Sequence, residues 1–184
     1  MMGKSHIVSG VGVAGIVFGG CRYLSRHYVL AGQVLTRVSD NLKLFFFPAD
    51  RHIVLRVLML GVCVVVYMAG LLGPDMDNQK STIGRYVYIP VGHRKILHSI
   101  WPVILFCLLG SLNWYLRPFV VFGIGWFVHL LCDKPSYSGV RLFWPAKLGP
   151  HFLRLYATST PSEYIIAAVI AALGVLSLFA GYFI

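Results

Sequence analysis

Apolar runs separated by short polar stretches dominate the chain. Five of them, at about 6 to 20, 53 to 73, 97 to 116, 118 to 132 and 163 to 184, read as membrane segments. A helix needs roughly 20 residues to cross a hydrocarbon core ~30 Å thick; three of the five reach that length, and the first and fourth fall short of it by more than a turn. The fourth, "PFVVFGIGWFVHLLC", is short. Between the first and second segments Leu30, Val34, Val38, Leu42 and Phe45 recur at helical spacing among Arg26, Arg37, Asp40 and Lys43. That spacing predicts an amphipathic helix lying on the membrane surface. The expected fold is all-α: a multi-pass transmembrane helical bundle in one domain, residues 1 to 184, plus this interfacial helix.

Punctuation refines the segments. Gly15 and Gly19 form a GxxxG, either a homodimer seam or a close contact with a neighbouring helix of the same chain; the second is favoured. Pro102 lies inside the third segment, where it is expected to free the carbonyl of His98 or kink the helix. Pro135 predicts that the fourth helix ends near Asp133. In "TPSE", Thr160 is the expected N-cap, Pro161 the first helical residue and Glu163 the closing member of a capping box, which gives Glu163 a structural task.

Composition agrees. The chain is 58% hydrophobic and 12% charged, against about 25% charged in soluble domains. The net charge of +10 suits loops facing anionic headgroups. Without a basic run or a soluble reading module it does not indicate nucleic acid. Cys21, Cys63, Cys107 and Cys132 form no CxxC and read as buried thiols. The N-terminal run up to Cys21 fits a lipobox poorly and is read as an uncleaved first helix.

Only six residues are acidic, and two of them, Asp75 and Asp77, directly follow an apolar run. Tracing the chain from the face that holds His6, the second segment returns Asp75 and Asp77 to that face. The third leaves from it past His93 and His98, and the fourth brings back His129 and Asp133. Seven potential metal ligands thus meet on one side of the membrane. His and Asp together bind zinc and other first-row divalent ions, and seven exceed the needs of one zinc site, so one or two ions are expected. His129 and Asp133 are four apart and share a helical face. His93 is five from His98 and does not share its face, which makes it the weakest candidate. His27, His52 and His151 read as interfacial histidines. The competing reading of the paired acids is a cation or proton path through a transporter.

Four strings carry a family resemblance: "MMGKSHIVSG", "GLLGPDMDNQKS", "HRKILHS" and "GWFVHLLCDKPSYSGVRLFWP". In order and content they resemble the YdjM-like family of bacterial membrane-bound, metal-dependent hydrolases: His6; a PDxD with a following serine, Asp75, Asp77 and Ser81; His93, Arg94, His98 and Ser99; then His129, Asp133, Gly139, Trp144 and Pro145. The chain departs from the family pattern at Gly73, where leucine is usual, and in its long connection from 22 to 52.

The resemblance implies a multi-pass protein of the bacterial inner membrane that hydrolyses its substrate with a divalent metal, zinc first and manganese second. The expected substrate is a phosphoester of a lipid or lipid-linked molecule, with anionic phospholipid as the partner. Arg94 is expected to hold phosphate oxygens, with Ser81 and Ser99 donating hydrogen bonds or supporting the site. Lys80, Arg85, Lys95, Lys134 and Arg141 would draw anionic headgroups to the same face. A metal-binding membrane protein without turnover is a further alternative. Lys and Arg divide almost evenly between the two faces, with a slight excess on the site's face that favours a cytoplasmic site.

Overall fold

Every regular element among the described residues of the computed structural model is helical; those residues are 2–28, 33–35, 37–38, 40–41, 53–137, 139–146, 155–157 and 160–183. Five α-helices follow in order: α1 Met2–His27, α2 Ile53–Leu72, α3 Ile100–Ser111, α4 Pro118–Asp133 and α5 Pro161–Phe183. Four helical stretches among the described residues are long and apolar enough to cross a membrane: Lys4–His27, Ile53–Asp77, Trp114–Asp133 and Pro161–Gly181.

The third segment departs from expectation. Helix α3 has 12 residues, about 18 Å at 1.5 Å per residue, which is well short of a ~30 Å core. Short 3-10 turns, Ile96–His98 and Trp114–Leu116, flank it. Pro102 is the cause of neither a kink nor a freed carbonyl. The helix starts at Ile100, so Pro102 sits in its first turn, where backbone N–H groups have no intrahelical partner to lose. His98 therefore lies in a turn before the helix.

Helix α1 runs on past Gly20 to His27, with Arg26 and His27 in its last turn, where positive charge suits the helix dipole. Residues 33–35, 37–38 and 40–41 of the expected interfacial helix are helical, and Val34 and Val38 are exposed. Leu30, Leu42, Phe45, His52 and His151 lie outside the described residues.

Two parallel helix pairs form the frame. Helices α1 and α5 meet along Gly12, Gly15 and Gly19, which face Ile170, Gly174 and Ser177 in rising order. A Cβ at Gly15 would stand 2.9 Å from the Gly174 carbonyl oxygen, and one at Gly19 would overlap the backbone of Ser177. The GxxxG is thus spent on a seam within the chain. Helices α2 and α4 approach in the same way, Gly70 against Phe122 and Gly125 against Tyr67. Helix α3 packs antiparallel on α4, with Gly110 near Val120 and Gly123 near Cys107. The core here is Val103, Trp126, Leu130 and Val140, with the Trp126 indole donating to the Leu97 carbonyl at 2.7 Å.

The glycine at position 73 is explained by the same packing. A Cβ at Gly73 would run into the Trp126 ring, so a larger residue there requires the indole to move.

Gly19→Val should lower the unfolding free energy in mixed micelles by about 1–3 kcal/mol, the usual cost of overpacking. Gly61 has nothing within 4 Å of an added Cβ, so Gly61→Val should leave it unchanged. Equal effects at the two positions would contradict the seam.

Candidate metal centre

Asp75 and Asp77 sit in a 3-10 turn, Gly73–Asp77, that continues α2 beyond its last α-helical residue. The turn is pinned by its backbone. The Ser81 hydroxyl donates to the Asp75 carbonyl at 2.7 Å and accepts the Gly84 N–H at 2.8 Å, while the Ile89 N–H donates to the Met76 carbonyl at 2.9 Å. The Ser99 hydroxyl donates to the Ile96 carbonyl at 2.6 Å. The hydroxyl protons of Ser81 and Ser99 are thus committed to backbone, and both residues shape the turns that carry the acids and His98.

All seven expected ligands gather in one place. His6 comes from α1, Asp75 and Asp77 from the turn after α2, His93 and His98 from the segment before α3, and His129 and Asp133 from the last turns of α4. Six are buried; the His93 side chain is 37% exposed. Two groups have ligand atoms within 4.8 Å of one another and share His129: His6, Asp75 and His129, and His98, His129 and Asp133. Asp77, His93 and His98 form a third.

Hydrogen bonds separate the roles. His129 Nδ1 lies 2.7 Å from the Leu71 carbonyl oxygen. A carbonyl only accepts, so Nδ1 carries the proton and the Nε2 lone pair is free. His98 Nδ1 lies 3.0 Å from Asp77 Oδ2, which turns its Nε2 the same way. Asp77 is saturated: its Oδ1 is 2.6 Å from His93 Nδ1, and its Oδ2 also takes the Arg94 N–H at 2.8 Å. Asp77 and His93 therefore read as the carboxylate–imidazole support of a ligand, a common arrangement around metals.

Five side-chain atoms remain fully buried at the centre without a hydrogen-bond partner: both carboxylate oxygens of Asp75, His98 Nε2, His129 Nε2 and Asp133 Oδ1. They converge. His98 Nε2 and His129 Nε2 are 3.5 and 3.7 Å from Asp133 Oδ2, His129 Nε2 is 3.9 Å from Asp75 Oδ1, and His6 Nε2 is 3.2 Å from Asp133 Oδ1. The His6 and His129 rings stack at 3.9 Å. The Asp75 carboxylate and the His129 Nε2 lone pair are buried with no close donor and converge on Asp133, so this donor set fits a divalent cation.

His98 lies between the spans. Burial acts to lower its pKa, but the carboxylates of Asp133 and Asp77 overcome this and raise it to about 9 in the metal-free protein.

Arg94 has φ +60°, an uncommon value for a non-glycine residue. Its Nη1 donates to the Gly139 carbonyl at 3.0 Å and lies 3.4 Å from Ser136 Oγ, and its Nη2 is 3.8 Å from Asp133 Oδ2. Gly139, at φ +56°, turns its carbonyl to the guanidinium. The Trp101 indole donates to the Trp144 carbonyl at 2.7 Å, fixing the far end of this loop.

Several partners escape a reading of spacing. The Glu163 carboxylate is buried and accepts from the Ser5 hydroxyl of α1. Thr160 Oγ1 bonds the Ala157 carbonyl and the Ser162 hydroxyl, so the expected capping box gives way to a contact between α1 and α5. Tyr156 donates to the Cys132 carbonyl, and residues 155–157 lie across the end of α4 through Tyr137 N–H to the Tyr156 carbonyl at 2.9 Å. The signal available for Ser5 is its place beside His6; nothing in the sequence links it to Glu163, 158 positions away.

The family model for the YdjM inner membrane protein matches residues 1–183, and the chain belongs to that family. With its apolar helices this places it in the inner membrane as a multi-pass protein. Neither the curated proteins nor the solved structures contain a match to it.

Ligands and supports should separate on mutation. Asp75→Ala should abolish metal binding, whereas Asp77→Asn should weaken it by about 10–100-fold, the usual cost of losing such a support. Equilibrium dialysis of purified protein reads both; equal losses would contradict the assignment. Because a metal must displace the His98 proton, affinity should rise about tenfold per pH unit from pH 7 towards 9 and level off above. The metal-free protein should behave oppositely: the raised His98 pKa contributes stability below about 6.5 that is lost as pH rises through about 9.

Proposed function

We propose that the chain is a metal-dependent hydrolase that cleaves a phosphoester of a lipid or lipid-linked substrate at the membrane face. The observation that carries this reading is the set of buried, unpartnered carboxylate and imidazole atoms at Asp75, His98, His129 and Asp133.

These four, with His6, would hold one or two ions. Mixed nitrogen and carboxylate donors suit zinc, and manganese next. A bound metal of this kind supplies Lewis acidity and a water that ionises near neutral pH. The chain's own part is orientation. The Leu71 carbonyl holds the His129 tautomer, and Asp77 holds those of His98 and His93. Arg94 has one arm on the Gly139 carbonyl. It therefore positions Ser136 and Gly139 beside Asp133 and offers an anion only the remainder of its fork.

Location supports a lipid substrate. The acids and imidazoles lie at helix ends, as expected of an interfacial hydrolase and not of a cation path at the bilayer midplane. Lys80, Arg85, Lys95 and Arg141 are exposed around the same end, beside exposed Tyr86 and Tyr88. Cationic and aromatic side chains together mark a headgroup zone.

Detergent-purified protein should contain near-stoichiometric zinc or manganese by mass spectrometry and hydrolyse phosphodiester lipids. An Asp75→Ala/His129→Ala double variant that keeps its helical circular dichroism should lose both, with turnover at the uncatalysed background. A folded wild type that takes up no metal when it is supplied would overturn the proposal.

A further inference from the structure

A cavity of about 170 Å³ opens beside His6, between the first halves of α1 and α5 and the end of α4. Its lining changes character with depth. Ser5, His6, Leu131, Cys132, Tyr156 and Glu163 lie at the level of the centre; Ser9 and Ile166 follow about one turn on, and Val13 and Ile170 two turns on. Val13 is two turns beyond His6 on α1, and Ile170 two turns beyond Glu163 on α5. These helices run parallel, so the apolar end lies about 10 Å deeper in the membrane than the polar end. Leu131, 44% exposed, borders the cavity at the level of the centre.

We propose that this cavity is a slot for the acyl chain of a phospholipid whose phosphoester lies at the metal centre. The inference rests on the function proposed above and deepens it. The polar end shares His6 with the centre. Among the described residues the lining contains Glu163 and no lysine or arginine, so a phosphate or a free carboxylate is disfavoured inside. An ester and the start of a hydrocarbon chain match both ends: Ser5 and Ser9 lie where the ester sits, and Val13, Ile166 and Ile170 where the chain runs. An apolar cavity of about 150 Å³ holds a six-carbon ring. The slot therefore takes about six carbons, and the remainder of the chain continues into the bilayer beyond Val13 and Ile170.

The test uses the full chain in vesicles of phosphatidylethanolamine and phosphatidylglycerol. The probe is a phosphatidylglycerol carrying a diazirine near the ester end of one acyl chain. After illumination, labelled positions are mapped by mass spectrometry. Val13, Ile166 and Ile170 should be labelled at least fivefold above Val11 and Val169, which are exposed on neighbouring turns of the same helices. A Val13→Trp variant that retains its metal should lose the labels on Ile166 and Ile170 and keep that on Val169. Uniform labelling, or labelling of exposed positions alone, would overturn the slot. Labelling needs no turnover, so the two readings fail separately. Turnover with uniform labelling removes the slot and keeps the hydrolase; cavity labelling without turnover removes the hydrolase and leaves a lipid site.

Discussion

Carboxylates buried at the end of an apolar bundle are the constraint on which the rest of this structure depends. Asp75, Asp77 and Asp133 are almost wholly excluded from solvent, and an unpaired buried charge is costly enough to unfold a domain of ordinary stability. Each must therefore be met by donors or by a cation held between other elements, and those elements must end at the same height. The glycine contacts between α2 and α4 make this possible by bringing the two backbones together, so that the Leu71 carbonyl reaches the His129 ring. The turn that carries the acids is in turn fixed by the Ser81 hydroxyl. Packing, tautomer and ligand direction are one connected problem here, and a change in any of them reaches the others.

What could be read from the sequence was whatever depends on chain order and local chemistry. The end of α4 at Asp133 follows from Pro135, and the start of α5 from Pro161. The gathering of His6, Asp75, Asp77, His98, His129 and Asp133 on one face follows from counting crossings. What escaped depends on contacts between distant parts of the chain. Hydropathy does not distinguish a spanning helix from a 12-residue helix between two 3-10 turns, because all three pieces are apolar. A glutamate three residues after threonine looks like a cap until a serine 158 positions away competes for it. Asp75 and Asp77 are the same residue type in the same turn. Only their partners show that one is bare while the other is filled by His93, His98 and the Arg94 N–H.

The site is also the place where the two helix pairs meet. Helix α1 packs chiefly on α5 and touches the remaining helices much less. Its contacts across include Gly10 with Leu71, the Tyr67 hydroxyl on the Gly10 carbonyl, and His6 with Asp133. A cation held by His6 together with residues of the turn after α2 and of α4 would join the pairs at one end, while the cavity separates them beside it. Tight coordination and access to lipid are then arranged side by side.

The pairing of α1 with α5 also bears on biogenesis. A ribosome makes α1 well before α5, so the helix carrying His6 reaches the membrane long before its main partner exists. The acids of the turn after α2 and the imidazoles that follow are in place earlier than the seam that positions His6. The seam along Gly12, Gly15 and Gly19 can form only once α5 has been inserted. A nascent chain stalled short of α5 would contain all seven of the gathered histidines and aspartates and still lack the seam that sets the height of His6.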